Sequence, residues 1–149
     1  MQHFPLYMWI GKAFEILVIG YSIWRGYKPQ RIAAFAMLVA IVLSRLSQDY
    51  RFLPGPQYGL AVVDTALFAI FAWLAVRDAR GWIIAATAFQ LLVAVAHIVS
   101  IFAKVETWTY IALLNLLGYL VLASMLVGAW QADRARRAAE IATPGPTPS

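Results

Sequence analysis

Residues 60–76, LAVVDTALFAIFAWLAV, set a single charge, Asp64, among sixteen uncharged and mostly apolar neighbours. An apolar helix of about 20 residues is long enough to cross the hydrocarbon core of a bilayer. A carboxylate inside such a helix is too costly to leave against lipid, so it must face protein or a water-filled pocket. The stretch predicts a transmembrane helix with one polar-bearing side.

Four further stretches read in the same way, and the five expected spans cover 4–24, 32–50, 58–76, 82–103 and 108–130. Within the last two, IIAATAFQLLVAVAHIVSIF and YIALLNLLGYLVLASMLVGAW carry no charge except one that His97 can take. The first contains Lys12 and Glu15, each costing about 2.5–3.5 kcal/mol at the membrane centre; the surrounding Phe, Ile, Leu and Val offset that cost. Composition agrees, with 62% of residues apolar, 13% charged and a mean hydropathy of +0.71. Soluble domains are about half apolar and a quarter charged. The predicted fold is all-α, an integral membrane bundle of five transmembrane helices.

The connections RGYKPQR, RFLPGPQ, RDARG and KVET are short, so consecutive spans are expected to lie antiparallel and adjacent. Residues 1–131 form the expected transmembrane domain. Residues 132–149 are expected to be a basic extension of the last helix, QADRARRAAEIA, followed by a Pro-rich tail without structure. The N-terminus MQHFPLYMW shows no basic n-region or small-residue cleavage site, so the first span is expected to remain in the mature chain.

Direction follows from the basic residues. Arg25, Lys28, Arg31, Arg77, Arg80, Arg134, Arg136 and Arg137 collect on one side, against Arg45, Arg51 and Lys104 on the other. That bias puts the N-terminus outside and the C-terminus in the cytoplasm, in a cell membrane of the bacterial inner-membrane type. Tyr7, Trp9, Tyr50, Tyr58, Trp108 and Tyr110 belong to the outer aromatic belt on this reading.

The polar residues then fall in one half of the membrane. Asp64 lies about 9 Å below the outer end of its span, and His97 at a similar depth in the fourth. Lys12 and Glu15 share a face of the first span, Arg45 sits near the outer end of the second, and Asn115 lies seven residues into the fifth. Gln90, near the middle, repeats at seven residues with His97 and Lys104, so these share a helix face. With these faces turned inward, the bundle has a polar, outward-opening crevice above an apolar plug. Asp64, Glu15, Arg45, His97, Lys12, Gln90 and Asn115 are the candidate ligand-binding or proton-relay residues. Arg45, Lys12 and His97 are the candidate partners of Asp64, and Arg45 can alternatively pair with Asp49.

A plainer reading stands beside this one. Lys12, Arg45, Glu15 and Asp64 sum to zero charge and can serve only to neutralise one another and fix helix register. His97 can be a neutral imidazole bonded to a carboxylate or carbonyl, and Asn115 and Gln90 can be interhelical hydrogen-bonding groups. There is no cysteine, which excludes disulfides and thiol chemistry. The only other histidine is His3, so no metal site or haem is expected, and no cofactor. No phosphate-binding, dinucleotide-binding, zinc-protease or serine-hydrolase motif is present, and Ser100 beside His97 stands without such context. The net charge of +5 comes from residues flanking apolar runs, so nucleic acid is not an expected partner.

Three functions fit these constraints. The leading one is non-enzymatic: a minimal transporter or sensor whose crevice takes a small ligand, ion or lipid group. The second is an accessory subunit of a larger membrane complex, its partners being lipids and another protein. The third is an intramembrane enzyme using Asp64 and His97 as acid and base, which requires the two within hydrogen-bond or one-water reach. No residue is assigned a catalytic role.

Overall fold

A computed structural model describes residues 6–47, 58–103 and 105–142. The segment 48–57, with Asp49 and Arg51, and also Lys104, His3 and the Pro-rich tail, lie outside the described residues. Five helices follow in order: α1, Leu6–Arg25; α2, Lys28–Ser47; α3, Tyr58–Asp78; α4, Gly81–Phe102; and α5, Thr107–Ala142. No strand occurs among the described residues. α2, α3, α4 and α5 are long and apolar enough to cross a membrane. α1, with Lys12 and Glu15 in its 20 residues, is not among those four.

Local chemistry sets the helix ends. α2 begins four residues before the expected span, because Pro29 is not a stop there but part of the first turn, where its missing N–H costs nothing. Gln30 reaches back to accept the Tyr27 N–H at 3.0 Å, one half of a capping box. α3 ends where Ala79 takes a left-handed φ of 44°, a conformation usually given to glycine, and its N–H bonds the Ala75 carbonyl at 2.9 Å. Glu106 opens α5 by accepting the N–H groups of Trp108 at 3.0 Å and Thr109 at 2.7 Å. These satisfy two donors that a helix start otherwise leaves unpaired. α5 then runs unbroken for 36 residues, about 54 Å, well past the end of the apolar stretch.

Sequence neighbours are neighbours in space. α1 packs on α2, α2 on α3, α3 on α4 and α4 on α5, while α5 closes the ring against α1 and also touches α2. The core holds Val18 and Ile19 of α1, Ala33, Ala34, Met37 and Ala40 of α2, and Leu67, Phe71 and Leu74 of α3. Trp82, Ile83 and Ala86 of α4 and Val121, Leu122 and Met125 of α5 complete it. Alanines at zero exposure (Ala33, Ala34, Ala86, Ala129 and Ala132) let the helix backbones approach closely. The outward faces remain apolar, as with Ile16 and Leu17 at 70% exposure and Val76 at 89%. Contiguous exposed apolar surface of this kind suits lipid, not water. Hydroxyls on these helices bond their own backbone, as Thr65 does to the Ala61 carbonyl and Thr87 to the Ile83 carbonyl, each at 2.7 Å.

All of this core lies toward one end. None of α1 from Trp9 to Leu17, of α2 after Ala40, of α3 before Leu67 or of α5 before Leu117 is buried. Only α4 continues the packed surface into the other half, through Gln90, Val93, Ala94 and His97. That half is a shallow, thinly covered cup and not a packed core, with α4 as its packed wall; α1 still meets α5 there through Gly11, Phe14 and Tyr119, and α2 meets α3 at Ser47 and Gly59. The well-packed half is the one that carries Arg25, Arg31, Arg80 and Arg136 at its rim.

Candidate functional site

Asp64 continues the buried stripe of α3, three residues before Leu67 and seven before Phe71, so it points inward at the bottom of the cup. Its side chain is 22% exposed, whereas His97 opposite is 3% exposed. His97 Nε2 lies 2.8 Å from Asp64 Oδ2. Gln90, two turns below on the same face of α4, donates from Nε2 to Asp64 Oδ1 at 3.2 Å and reaches the Asp64 carbonyl at 3.3 Å. The two α4 side chains therefore clamp both oxygens of one α3 carboxylate.

The other imidazole nitrogen is also engaged. His97 Nδ1 lies 2.5 Å from the phenol oxygen of Tyr110, whose ring meets the imidazole edge-on. An ionised carboxylate can only accept, so with a neutral imidazole Nε2–H donates to Asp64 and Nδ1 accepts from the Tyr110 hydroxyl. With an imidazolium both nitrogens donate, and Tyr110 turns its own proton outward. The chain Asp64–His97–Tyr110 thus accommodates both charge states by rotating one hydroxyl. Ser100 Oγ, one turn from His97, is occupied by the His97 carbonyl at 2.7 Å.

Tyr110 also borders an apolar groove of about 280 Å³ between α4 and α5, lined by Leu92, Ala96, Val99, Val105 and Leu113. It is the one side chain common to the groove and the hydrogen-bonded chain. The tyrosine was legible only as a belt aromatic in the sequence. Its level with His97 follows from the tight α4–α5 turn, and that signal needs the turn's length and geometry together.

The remaining candidates are distributed around the cup. Lys12 Nζ meets Glu15 Oε2 at 3.7 Å, with side chains 43% and 23% exposed. Glu15 precedes buried Val18, Ile19 and Ser22 by three, four and seven residues, so it shares their inward face. Asn115 is exposed near the top of α5. Arg45 is exposed in the last turn of α2. Among the described residues the polar side chains bonded to Asp64 are Gln90 and His97, not Lys12 or Arg45. No group of three potential metal ligands occurs among the described residues.

A second polar cluster, at the packed end, was not among the sequence candidates. Asp133 is 6% exposed and holds Arg25 at 3.3 Å and Arg137 at 2.7 Å. Arg31 and Arg136 both donate to the Gly26 carbonyl, at 3.2 and 3.3 Å, and Arg80 stacks 4.7 Å from the Tyr27 ring. These contacts tie the α1–α2 turn to α4 and α5. The run DRARR reads as an anchor in sequence, and only the Asp133–Arg137 spacing of four hints at the pair.

No protein-family model, no curated protein and no solved structure matches the chain. What stands on the chain's own features is an all-helical bundle with four long apolar helices, the build of a small multi-pass membrane protein.

Proposed function

We propose that the protein is a five-span membrane protein, N-terminus outside and C-terminus cytoplasmic, that binds a small ligand in its outer half as a minimal transporter or sensor. Asp64, His97 and Tyr110 form the proton-responsive contact, positioned by Gln90. Glu15, Lys12 and Asn115 supply further polar surface of the cup, and Arg45 lies at its lip. The observation that carries this reading is the 2.8 Å contact between His97 Nε2 and Asp64 in the thinly covered half of the bundle. A carboxylate clamped only for register would be enclosed, and Asp64 keeps 22% of its side chain exposed. The setting is a cell membrane of the bacterial inner-membrane type, by the distribution of arginines.

The first experiment is native mass spectrometry of protein released gently from its own membrane. A discrete small-molecule adduct is expected, and Asp64→Asn should lose it, or lose the pH dependence of its binding, while still inserting and folding. Unchanged pH-dependent binding in that variant overturns the proposal.

A second reading, an accessory subunit of a larger complex, draws on Lys12, which is 43% exposed, and on exposed Asn115. It predicts co-purifying subunits and instability when the chain is made alone, so a stable, monodisperse protein without partners counts against it. The Asp64–His97 distance also meets the reach that acid–base chemistry needs. An enzymatic reading would show as a chemically altered adduct in the same spectrum.

A further inference from the structure

On the outside of the bundle α1 and α5 leave a second groove, of about 620 Å³. Phe14, Val18 and Tyr21 form one wall, and Leu126, Val127 and Trp130 the other. Helical spacing carries both walls on to arginine: Arg25 is four residues after Tyr21, and Arg134 four after Trp130. The Arg134 guanidinium lies 5.5 Å from the Trp130 ring, and Arg25 lies 4.2 Å from the Trp24 ring. Asp133, between them, already binds Arg25 and Arg137. None of these charged residues lines the groove itself; by helical spacing Arg25, Asp133, Arg134 and Arg137 lie beyond its Tyr21 and Trp130 end, with a net charge of +2 over the four.

An apolar slot along the membrane normal, closed by tryptophan at belt level and then by excess positive charge, fits one ligand chemistry. That ligand is a phospholipid chain bearing an anionic headgroup. A zwitterionic headgroup would bring its own cation to the arginines, and a partner helix would need an acidic residue level with Arg134. We propose that this groove holds one acyl chain of an anionic phospholipid from the leaflet on the arginine side, its phosphate between Arg25 and Arg134. The site is separate from the outer cup and stands whether or not the cup binds a ligand.

The test is native mass spectrometry of delipidated full-length protein titrated with phosphatidylglycerol or phosphatidylcholine. One tightly held phosphatidylglycerol is expected, favoured by about tenfold or more at roughly 1 kcal/mol per arginine. Arg134→Gln, which leaves the Asp133 ion pairs alone, should lower that preference about fivefold. Leu17, beside Val18, also lines the α1 wall of the groove, and Leu17→Trp, which fills it but keeps every arginine, should remove the bound lipid of either kind. Equal binding of the two lipids, or a preference unaffected by both variants, overturns the proposal. So does equally tight binding of glycerol phosphate without a chain, because it would mean a phosphate site that makes no use of the groove.

Discussion

At Asp64 both carboxylate oxygens have partners, and both partners come from α4. That the pair lies at one depth was legible from counting residues along two spans. Which of three candidate cations or imidazoles meets the carboxylate was not, because it depends on helix rotation, which periodicity in all-apolar surroundings does not fix. Tyr110 was missed for the same reason: a tyrosine near a helix start looks alike whether it faces lipid or a histidine. Glu106 shows a simpler residue-level effect. The Trp108 N–H first, and then the Thr109 N–H and hydroxyl, hold its carboxyl below the ordinary carboxylate range. A group with a lowered folded pKa contributes stability above its unfolded value, near 4.3, and loses it as pH falls through the lower folded value. The amide resonances of Trp108 and Thr109 should therefore titrate together below about pH 4, and Glu106→Gln should abolish that inflection. An inflection at or above the ordinary glutamate value would show that the cap is not formed.

Among the elements, α5 gains most from the structure. The chain's hydropathy ends its span near Trp130, yet the helix continues to Ala142. That continuation was legible in QADRARRAAEIA, which is rich in strong helix formers. What the pattern does not reveal is how tightly α5 is drawn against α2 and α4 at Gly128. A Cβ built there would come within 2.5 Å of both Gln30 Nε2 and the Trp82 ring, and both of those side chains are buried. Gly128→Ala should thus force the helices apart at a cost of about 1–3 kcal/mol. The measurement is thermal unfolding in detergent with Trp82 emission, which should shift to the red. Gly118→Ala is the control, since nothing lies within 4 Å of its Cβ. It should leave the melting temperature unchanged or raise it slightly, because alanine favours helix over glycine by about 1 kcal/mol. Equal behaviour of the two variants would remove the close approach from the account of this packing.

For the whole molecule, hydropathy made the helical bundle legible and the placing of the polar residues pointed to a less packed half, while which apolar residues are covered was not legible. Val18, Ala40, Leu67 and Leu117 are ordinary apolar residues, and so are Ile10, Leu43, Val62 and Leu113, yet only the first set is buried. Full burial is concentrated toward the arginine end, and Lys12, Glu15, Asp64 and Asn115 mark the less covered half. The chain has no cysteine, so single cysteines report directly on that asymmetry. Asn115→Cys should react with a membrane-impermeant maleimide added from the side that the Asp64 half faces, and Met125→Cys, at zero exposure, should stay unlabelled. Labelling of both positions, or of neither, would contradict a bundle packed at one end and thinly covered at the other. The arginine end, with its alanine contacts and the Asp133 and Gly26 ties, is therefore the anchor of the bundle, and the far end is held by narrower contacts such as Gly11 with Tyr119 and Gly59 with Ser47.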